Sequence, residues 1–186
     1  MKKSSQGIHT RLVHAGFHGD PSGAVTVPIY QTSTFAFRNA EHGAALFGGA
    51  DDGYIYTRLG NPTIRALEEC VGELENGQRG IATSSGMGAV SIVYLALLGQ
   101  GAHVVSTASV YGPSRLLIER HLARFGVNAT FVDTTDPENV RRALRPETKL
   151  VYVETPSNPA MQVTDVAAVA AIAHAHGCPL CVDNTF

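Results

Sequence analysis

The second half of the chain alternates short apolar runs with stretches of helical spacing. Two of the runs, KLVYVE at 149–154 and PLCVD at 179–183, are nearly continuous in apolar residues. Such runs are typical of parallel strands that are covered on both faces. With helices between successive strands, the pattern predicts an α/β fold with a mostly parallel sheet and helices on both faces.

The alternation also assigns individual elements. The predicted strands are 79–83, 102–106, 127–132, 149–154 and 179–183. The predicted helices between them are 86–98, 113–124, 137–144 and 164–175. A further helix is predicted before them, because Asn61 suits its N-cap, Pro62 its first position and Gly77 its C′ position. Residues 1–38 have no clear periodicity and several turn-forming glycines and prolines, so we expect an extended arm there.

The charge and composition of the chain exclude several classes of partner. Its 186 residues carry 14 basic and 16 acidic side chains, a net charge of −2 without a long run of either sign. This balance argues against binding to nucleic acid or to an anionic membrane. No stretch reaches the roughly 18 apolar residues of a membrane span, and the first residues lack an apolar signal segment. We therefore expect a cytoplasmic protein with a small-molecule partner.

Three cysteines are too few for a disulfide scaffold and fit a reducing compartment. The segment HAHGCPLC brings two histidines and two cysteines together, which invites interpretation as a metal or redox site. However, His174 and His176 lie about 200° apart on a helix end. Cys178 and Cys181 face opposite ways on an extended strand, so we expect ordinary packing and no metal.

One turn has the composition of an anion-binding loop. In IATSSGMGAVSIVYLALL, residues 81–98, the residues Ser84, Ser85, Gly86 and Gly88 separate a predicted strand from a helix. Glycine lets a ligand approach backbone N–H groups closely, and the helix dipole favours a phosphate there. Simple capping of a buried helix is the alternative. Because the dinucleotide and nucleoside triphosphate motifs of glycine-rich loops are absent from the sequence, neither ligand is expected.

Four loops follow the carboxyl ends of predicted strands, where ligands bind in open α/β sheets. They are Ser84–Gly88, Ser109–Gly112, Thr155–Asn158 and Asp183–Thr185. Beside the phosphate-type turn they place an aromatic ring, an amide and a carboxylate, at Tyr111, Asn158 and Asp183. Each residue alone also suits an ordinary turn or packing role. Together they meet the needs of pyridoxal 5'-phosphate (PLP), whose ring requires stacking, a donor to its phenolic oxygen and an anion at its nitrogen.

Five motifs of the chain resemble the Cys/Met metabolism family of PLP-dependent enzymes. They are GYIYTRLGNPT at 53–63, SSGMGAV at 84–90, VYGPS at 110–114, ETPSNP at 154–159 and VDNTF at 182–186. The resemblance implies an incomplete large domain of a fold-type I PLP-dependent transferase, similar to aspartate aminotransferase. It also implies that residues 1–50 form an arm that contacts a neighbouring subunit and that residues 51–186 form the PLP-binding domain.

The same resemblance implies how the cofactor phosphate is bound. The backbone N–H groups of Gly86 and Met87 would bind it, with Ser85 close by. Tyr56 and Arg58 would reach the phosphate of the neighbouring subunit. Each site would then be completed by a dimer, usually within a homotetramer.

For the cofactor ring, the resemblance implies three further roles. Tyr111 would stack on the pyridine ring and act in catalysis by moving protons. Asn158 would contact the phenolic oxygen, and Asp183 would contact the ring nitrogen.

The activity that the resemblance implies is γ-elimination on a sulfur amino acid, methionine or cystathionine, which gives 2-oxobutyrate, ammonia and a thiol. Pro113 stands where methionine γ-lyases commonly carry a cysteine. This departure weakens methionine as the preferred substrate. The alternative reaction is γ-replacement of the cystathionine γ-synthase or O-acetylhomoserine sulfhydrylase type. A truncated, non-catalytic paralogue or partner subunit is the alternative outside enzymes.

The lysine that binds the cofactor in this family follows the V-D-N-T motif, and residues 1–186 end before it. Lys2 and Lys3 fall in the predicted arm, and Lys149 enters its strand at the end opposite the site. The arginine for the substrate carboxylate is also expected in later residues. We therefore expect these residues to be part of a chain about twice as long, without turnover on their own, and with apolar surface exposed near residue 186.

Mass spectrometry of the protein purified from its own source tests this expectation. We expect an intact mass well above 19.7 kDa and, after borohydride reduction, one pyridoxyl adduct per chain, because reduction makes the link between cofactor and lysine permanent. A mass near 19.7 kDa without an adduct would contradict the catalytic interpretation and favour a partner subunit.

Overall fold

The computed structural model describes residues 6–186. These residues divide into two compact units, one that ends at Ala82 and one that spans Thr83–Phe186. The predicted arm of residues 1–50 is defined by its contact with a neighbouring subunit, and the predicted domain of residues 51–186 is defined by cofactor binding. Both therefore stay predictions. Lys2 and Lys3 lie outside the described residues.

Within residues 6–82 the first unit has three α-helices. They are α1 (Ile8–His14), α2 (Ala40–Phe47) and α3 (Pro62–Leu74). Helix α3 begins where the sequence predicts, because the Asn61 side chain accepts a hydrogen bond from the Thr63 N–H at 2.9 Å. Its predicted end is wrong, since Glu75 is the C-cap and Asn76, not Gly77, has a positive φ of 52°. Asparagine tolerates this left-handed conformation, so no glycine is required at that position.

Helix α1 corrects the prediction of an extended arm over residues 1–38. It packs against α3, and the Arg11 guanidinium donates a hydrogen bond of 2.9 Å to the Glu73 carbonyl. Its apolar residues Leu12 and Val13 are exposed. Helix α1 therefore depends on its contact with α3. It lacks the buried apolar stripe from which a helix is usually predicted.

Residues 83–186 contain a four-stranded parallel sheet with the strand order β2-β1-β3-β4. The strands are β1 (His103–Thr107), β2 (Asn128–Val132), β3 (Thr148–Glu154) and β4 (Leu180–Asp183). Each begins and ends within one residue of its prediction. Lys149 is exposed near the amino end of β3, as predicted. These findings confirm the α/β fold class.

Four α-helices accompany the sheet in residues 83–186. They are α4 (Gly86–Leu97), α5 (Gly112–Leu116), α6 (Pro137–Ala143) and α7 (Val166–His176). The single helix predicted over 113–124 is in fact α5 followed by a π-helical turn, Leu117–His121, and a 3₁₀ turn, Leu122–Phe125. Ile118 and Leu122 keep this mixed segment packed on the sheet, since both belong to one core cluster. None of the described helices has the length and apolar character needed to cross a membrane.

Helices cover both faces of the sheet, as the sequence predicts. On one face, α4 and the helical segment 112–125 pack on Val104, Leu150 and Tyr152. On the other face, α6 and α7 pack on strand residues Val105, Val151 and Val153. Because successive strand residues point to opposite faces, β1 and β3 are buried from both sides.

The prediction of a strand over residues 79–83 is wrong. Residues 79–83 form no regular strand, and Ile81 is 73% exposed. The Ala82 N–H donates to the Glu68 carboxylate at 2.8 Å. A strand requires a neighbouring strand as hydrogen-bond partner, so the apolar composition of this segment is not sufficient by itself.

The HAHGCPLC segment is divided between separate environments. The Nε2 atom of His176 is hydrogen-bonded to the Arg145 carbonyl at 2.9 Å. Cys178 packs in the cluster on the α6 and α7 side, whereas Cys181 packs against the opposite cluster, as their spacing predicts. Among residues 6–186, no group of three or more His, Cys, Asp or Glu side chains is arranged to hold a metal ion.

His103 is buried at the amino end of β1, with 1% of its surface exposed. Its Nδ1 and Nε2 atoms are hydrogen-bonded to the hydroxyls of Thr148 and Thr130, at 2.8 and 2.9 Å. Burial lowers the pKa of this imidazole, and the positive charge of Arg145 lowers it further, whereas Glu147 acts in the opposite direction. The neutral imidazole therefore suits this position.

We predict that His103 makes the protein less stable as the pH falls. Because its pKa is lower in the folded than in the unfolded chain, its stabilising contribution is complete above a pH of about 6.5. That contribution is lost as the pH falls through the folded pKa. Urea unfolding at about pH 7.5 and about pH 5.5 checks this, and His103→Gln should lose less stability between them than the wild type. The exposed His121→Gln control should behave as the wild type does, and an equal loss in all three proteins would contradict the prediction.

Candidate functional site

A cleft of about 610 Å³ opens at the carboxyl ends of the strands in Thr83–Phe186. The start of α4 and the loops that follow β1, β3 and β4 line it. Six of the eight predicted site residues lie on its walls, namely Ser85, Gly86, Met87, Tyr111, Asn158 and Asp183. This edge is where open α/β sheets bind their ligands.

The other two predicted site residues, Tyr56 and Arg58, belong to the first unit. Both side chains are exposed, and the Arg58 guanidinium carbon lies 5.4 Å from the centroid of the Tyr56 ring. An isolated antiparallel bridge between Thr34 and Tyr56 fixes the backbone there. The cation–π contact presents an aromatic ring and a positive charge together on one surface.

The start of α4 has the geometry of an anion-binding turn. Ser85 caps the helix, because its Oγ accepts a hydrogen bond of 3.0 Å from the Gly88 N–H. Gly86 and Met87 lie in the first turn, where helix N–H groups have no acceptor within the helix. A Cβ added to Gly86 would meet no atom within 4 Å. Capping by Ser85 therefore leaves the N–H groups of Gly86 and Met87 without an acceptor in the helix, and the space beside Gly86 is open, an arrangement that suits an anion.

The Asp183 carboxylate is oriented from both sides. The Tyr152 hydroxyl donates to its Oδ2 at 3.0 Å, and the Thr185 hydroxyl donates to its Oδ1 at 2.6 Å. Burial raises the pKa of Tyr152, and the neighbouring Tyr94 and Asp183 raise it further. The Tyr152 hydroxyl is therefore protonated at neutral pH and remains a donor. Its ring is fixed edge-on against Tyr94, with the centroids 5.0 Å apart.

The Glu154 carboxylate connects two loops of the cleft. Its Oε2 accepts a hydrogen bond from the Tyr111 N–H at 2.6 Å, and its Oε1 accepts one from the Asn158 N–H at 3.0 Å. Glu154 is 4% exposed, whereas Tyr111 is 48% exposed. Glu154 thus holds the backbone of each loop by a hydrogen bond, while the Tyr111 and Asn158 side chains remain exposed.

Cys181 lines the same cleft as a protonated thiol. Burial raises its pKa to about 11, and the charge of Asp183 acts in the same direction. Because the thiolate is the nucleophilic form of cysteine, this residue is an apolar part of the wall at neutral pH.

Sequence reasoning missed the contributions of Tyr152, Glu154 and Thr185 to the cleft. A signal for two of them was present in KLVYVE, where a tyrosine and a glutamate stand two positions apart at the end of an apolar strand. Residues with this spacing share one face. Their polar groups at the carboxyl edge of a buried strand mark them as candidates for a ligand site.

The chain is similar to known proteins over nearly its whole length. Residues 9–186 match the family model described as Cys/Met metabolism PLP-dependent enzyme. An L-methionine gamma-lyase from Treponema denticola is 50% identical, covering 97% of this chain and 45% of its own length. This chain thus spans about half the length of that curated relative.

Two solved structures are also similar. One is metB from Corynebacterium glutamicum, with 41% identity and a TM-score of 0.90, covering 100% of this chain and 47% of that chain. The other is cystathionine gamma-lyase from Lactobacillus plantarum complexed with L-serine, with 38% identity and a TM-score of 0.85. It covers 96% of this chain and 45% of that chain.

We predict that Ser85→Ala lowers the free energy of unfolding by about 1 kcal/mol, because it removes the N-cap of α4. It should also weaken PLP binding, since the cap orients the first turn beside the cleft. Asp165→Ala is the matched control, because Asp165 caps α7 by accepting a hydrogen bond of 2.9 Å from the Ala168 N–H. Urea unfolding should show a similar loss in both variants, and a fluorescence titration with PLP should show weaker binding only in Ser85→Ala. Equal PLP affinity in the two variants would contradict a role for Ser85 at the cleft.

Proposed function

We propose, from the premise that this chain belongs to the Cys/Met metabolism family of PLP-dependent enzymes, that the complete protein is a carbon–sulfur lyase. Its reaction is γ-elimination on methionine or cystathionine, which releases 2-oxobutyrate, ammonia and a thiol. The observation that carries the proposal is the cleft, where a free helix start, an oriented carboxylate and an exposed tyrosine line one space. The similarity to an L-methionine gamma-lyase supports a sulfur amino acid as substrate.

The residues of the cleft fit PLP. The two free N–H groups and the open space at Gly86 suit a phosphate. Asp183 offers an oriented carboxylate for the pyridine nitrogen, and the Tyr111 ring is exposed enough to stack on a flat ligand. When bound, PLP supplies an electron sink for negative charge that develops on the substrate.

Three residues of this chain then have distinct roles. Asp183, held by Tyr152 and Thr185, would keep a proton on the pyridine nitrogen. Asn158 would donate a hydrogen bond from its amide to the phenolic oxygen. Tyr111 would stack on the ring and transfer a proton to the departing sulfur, which is general acid catalysis.

The charge in the cleft supports a contribution from a second subunit. Among the lining residues of Thr83–Phe186 none is a lysine or an arginine, whereas Glu154 and Asp183 are acidic. A helix start supplies only about half of a positive charge. We therefore propose that Arg58 and Tyr56 of a neighbouring subunit complete the phosphate site, with the planar guanidinium making two parallel hydrogen bonds.

Exposed apolar side chains support such an assembly. Ile64, Leu67 and Val71 form a stripe along α3 and are 39%, 57% and 46% exposed. A continuous apolar stripe of this kind is typical of a surface that another protein covers. We propose a homotetramer built from dimers that complete each other's sites.

γ-Replacement is the second candidate. Pro113 lies in the first turn of α5, two residues after Tyr111, at the position where methionine γ-lyases commonly carry a cysteine. In γ-replacement a second thiol adds to the substrate after the first group departs. The roles of Tyr111, Asn158 and Asp183 are the same in both reactions.

We predict that the full-length protein with PLP releases 2-oxobutyrate from methionine or cystathionine. Tyr111→Phe should lower kcat by about 100-fold, because it removes the proton donor and retains the ring. Tyr30→Phe, in the first unit, is the matched control and should leave kcat unchanged. Consumption of an O-acetylhomoserine and thiol pair without 2-oxobutyrate would favour γ-replacement, and the absence of both reactions would contradict the proposal.

A further inference from the structure

We propose that Glu154 is a positioning residue that fixes the Tyr111 loop, the Asn158 loop and Asp183 in one frame. This inference rests on the proposed function for the roles of Tyr111 and Asn158. Glu154 has no part in the chemistry described above, although it is an acidic side chain with only 4% of its surface exposed. An acidic group is rarely buried to this degree unless its oxygens have partners.

Both oxygens of Glu154 are used, and each binds a different loop. The 2.6 Å hydrogen bond from Tyr111 and the 3.0 Å hydrogen bond from Asn158 come from backbone N–H groups. No lysine, arginine or histidine of residues 6–186 forms an ion pair with Glu154. Its carboxylate is therefore a bridge between two loops and not half of a salt bridge.

The bridge is anchored on the sheet. Glu154 is the last residue of β3 and lies directly beside Asp183 in the pairing of β3 with β4. Its own N–H donates to the Thr107 hydroxyl at the end of β1, at 3.2 Å. Glu154 thus connects the two loops to the ends of β1 and β4, the strands on either side of β3. Movement of Tyr111 or Asn158 relative to Asp183 requires that a part-buried hydrogen bond to Glu154 break.

Buried contacts hold other parts of the two loops, because Val110 belongs to a core cluster and the Asn184 amide donates to the Thr155 carbonyl at 2.8 Å. At Tyr111 and Asn158 themselves the support is different. The side chains of Tyr111 and Asn158 are exposed, so packing does not fix them. The Ser109 hydroxyl donates to the Gln162 amide oxygen at 2.9 Å, but this second connection between the loops is exposed to solvent. Because water competes for an exposed hydrogen bond, the part-buried Glu154 bonds should dominate the positions of Tyr111 and Asn158.

Glu154→Gln tests the bridge with almost no change in shape. A carboxylate offers an acceptor on each oxygen, whereas a carboxamide offers one acceptor and one donor. The NH₂ group of glutamine would face a backbone N–H, so one of the two hydrogen bonds must be lost and a buried donor is left unsatisfied. Glu138→Gln is the matched control, since Glu138 is exposed on α6 and its carboxylate accepts hydrogen bonds from the Arg141 guanidinium on the same helix.

The experiment is backbone amide hydrogen exchange on the full-length protein, with and without PLP, followed by mass spectrometry. In Glu154→Gln we expect exchange of segments 109–116 and 155–162 to accelerate by about tenfold, with exchange of β1 unchanged. PLP affinity, measured by fluorescence titration, should fall several-fold in Glu154→Gln. Glu138→Gln should match the wild type in both measurements.

Unchanged amide exchange of segments 109–116 and 155–162 in Glu154→Gln would overturn the proposal. Equal acceleration of exchange throughout the sheet would also overturn it, because it indicates a merely structural role for Glu154. If Glu154→Gln does not fold, amide exchange in the wild type tests the proposal, because unprotected amides at Tyr111 and Asn158 would exclude the two hydrogen bonds to Glu154. A wild-type protein that does not bind PLP would contradict the proposed function, whereas the exchange rates without PLP would still test Glu154.

Discussion

The parallel pairing of β3 with β1 and β4 is the constraint on which the cleft depends. Because the strands run in one direction, their carboxyl ends lie along one edge, and each following loop begins there. Helices bury both faces, and this burial fixes the register. A slip by one residue would exchange Val151 and Val153 with Leu150 and Tyr152 and turn the wrong side chains to each face. The position of Glu154 beside Asp183 follows directly from that register.

The sequence is sufficient to predict an element wherever local chemistry or a continuous apolar pattern determines its structure. The strands from β1 to β4 were found because runs such as KLVYVE are apolar without interruption, which suits a strand covered on both faces. The start of α3 was found because Asn61 and Pro62 satisfy the needs of a first turn by themselves. Tyr111, Asn158 and Asp183 were placed together because each follows a strand of one parallel sheet.

Predictions from the sequence are wrong or incomplete where residues distant in the chain determine the local structure. Residues 79–83 have the composition of a strand but no neighbouring strand among the described residues, and α1 is helical although only its contact with α3 supports it. The sequence identifies Tyr152 and Glu154 only as strand residues, since nothing local shows which donor or acceptor each one meets. The roles of Tyr56 and Arg58 stay predictions, because a neighbouring subunit is needed to test them.

The free helix start of α4 also couples folding to solution conditions. The N–H groups of Gly86 and Met87 have no acceptor within the helix, the space beside Gly86 is open, and the other end of the helix packs in the core through Tyr94, which is fully buried. An anion that occupies the first turn therefore binds only the folded chain and stabilises it by mass action. Inorganic phosphate in a buffer would act on the same groups that we propose for the cofactor phosphate. On that proposal, the stability of the protein without its cofactor depends on buffer composition, and we expect a higher unfolding midpoint in phosphate than in a buffer without a small anion.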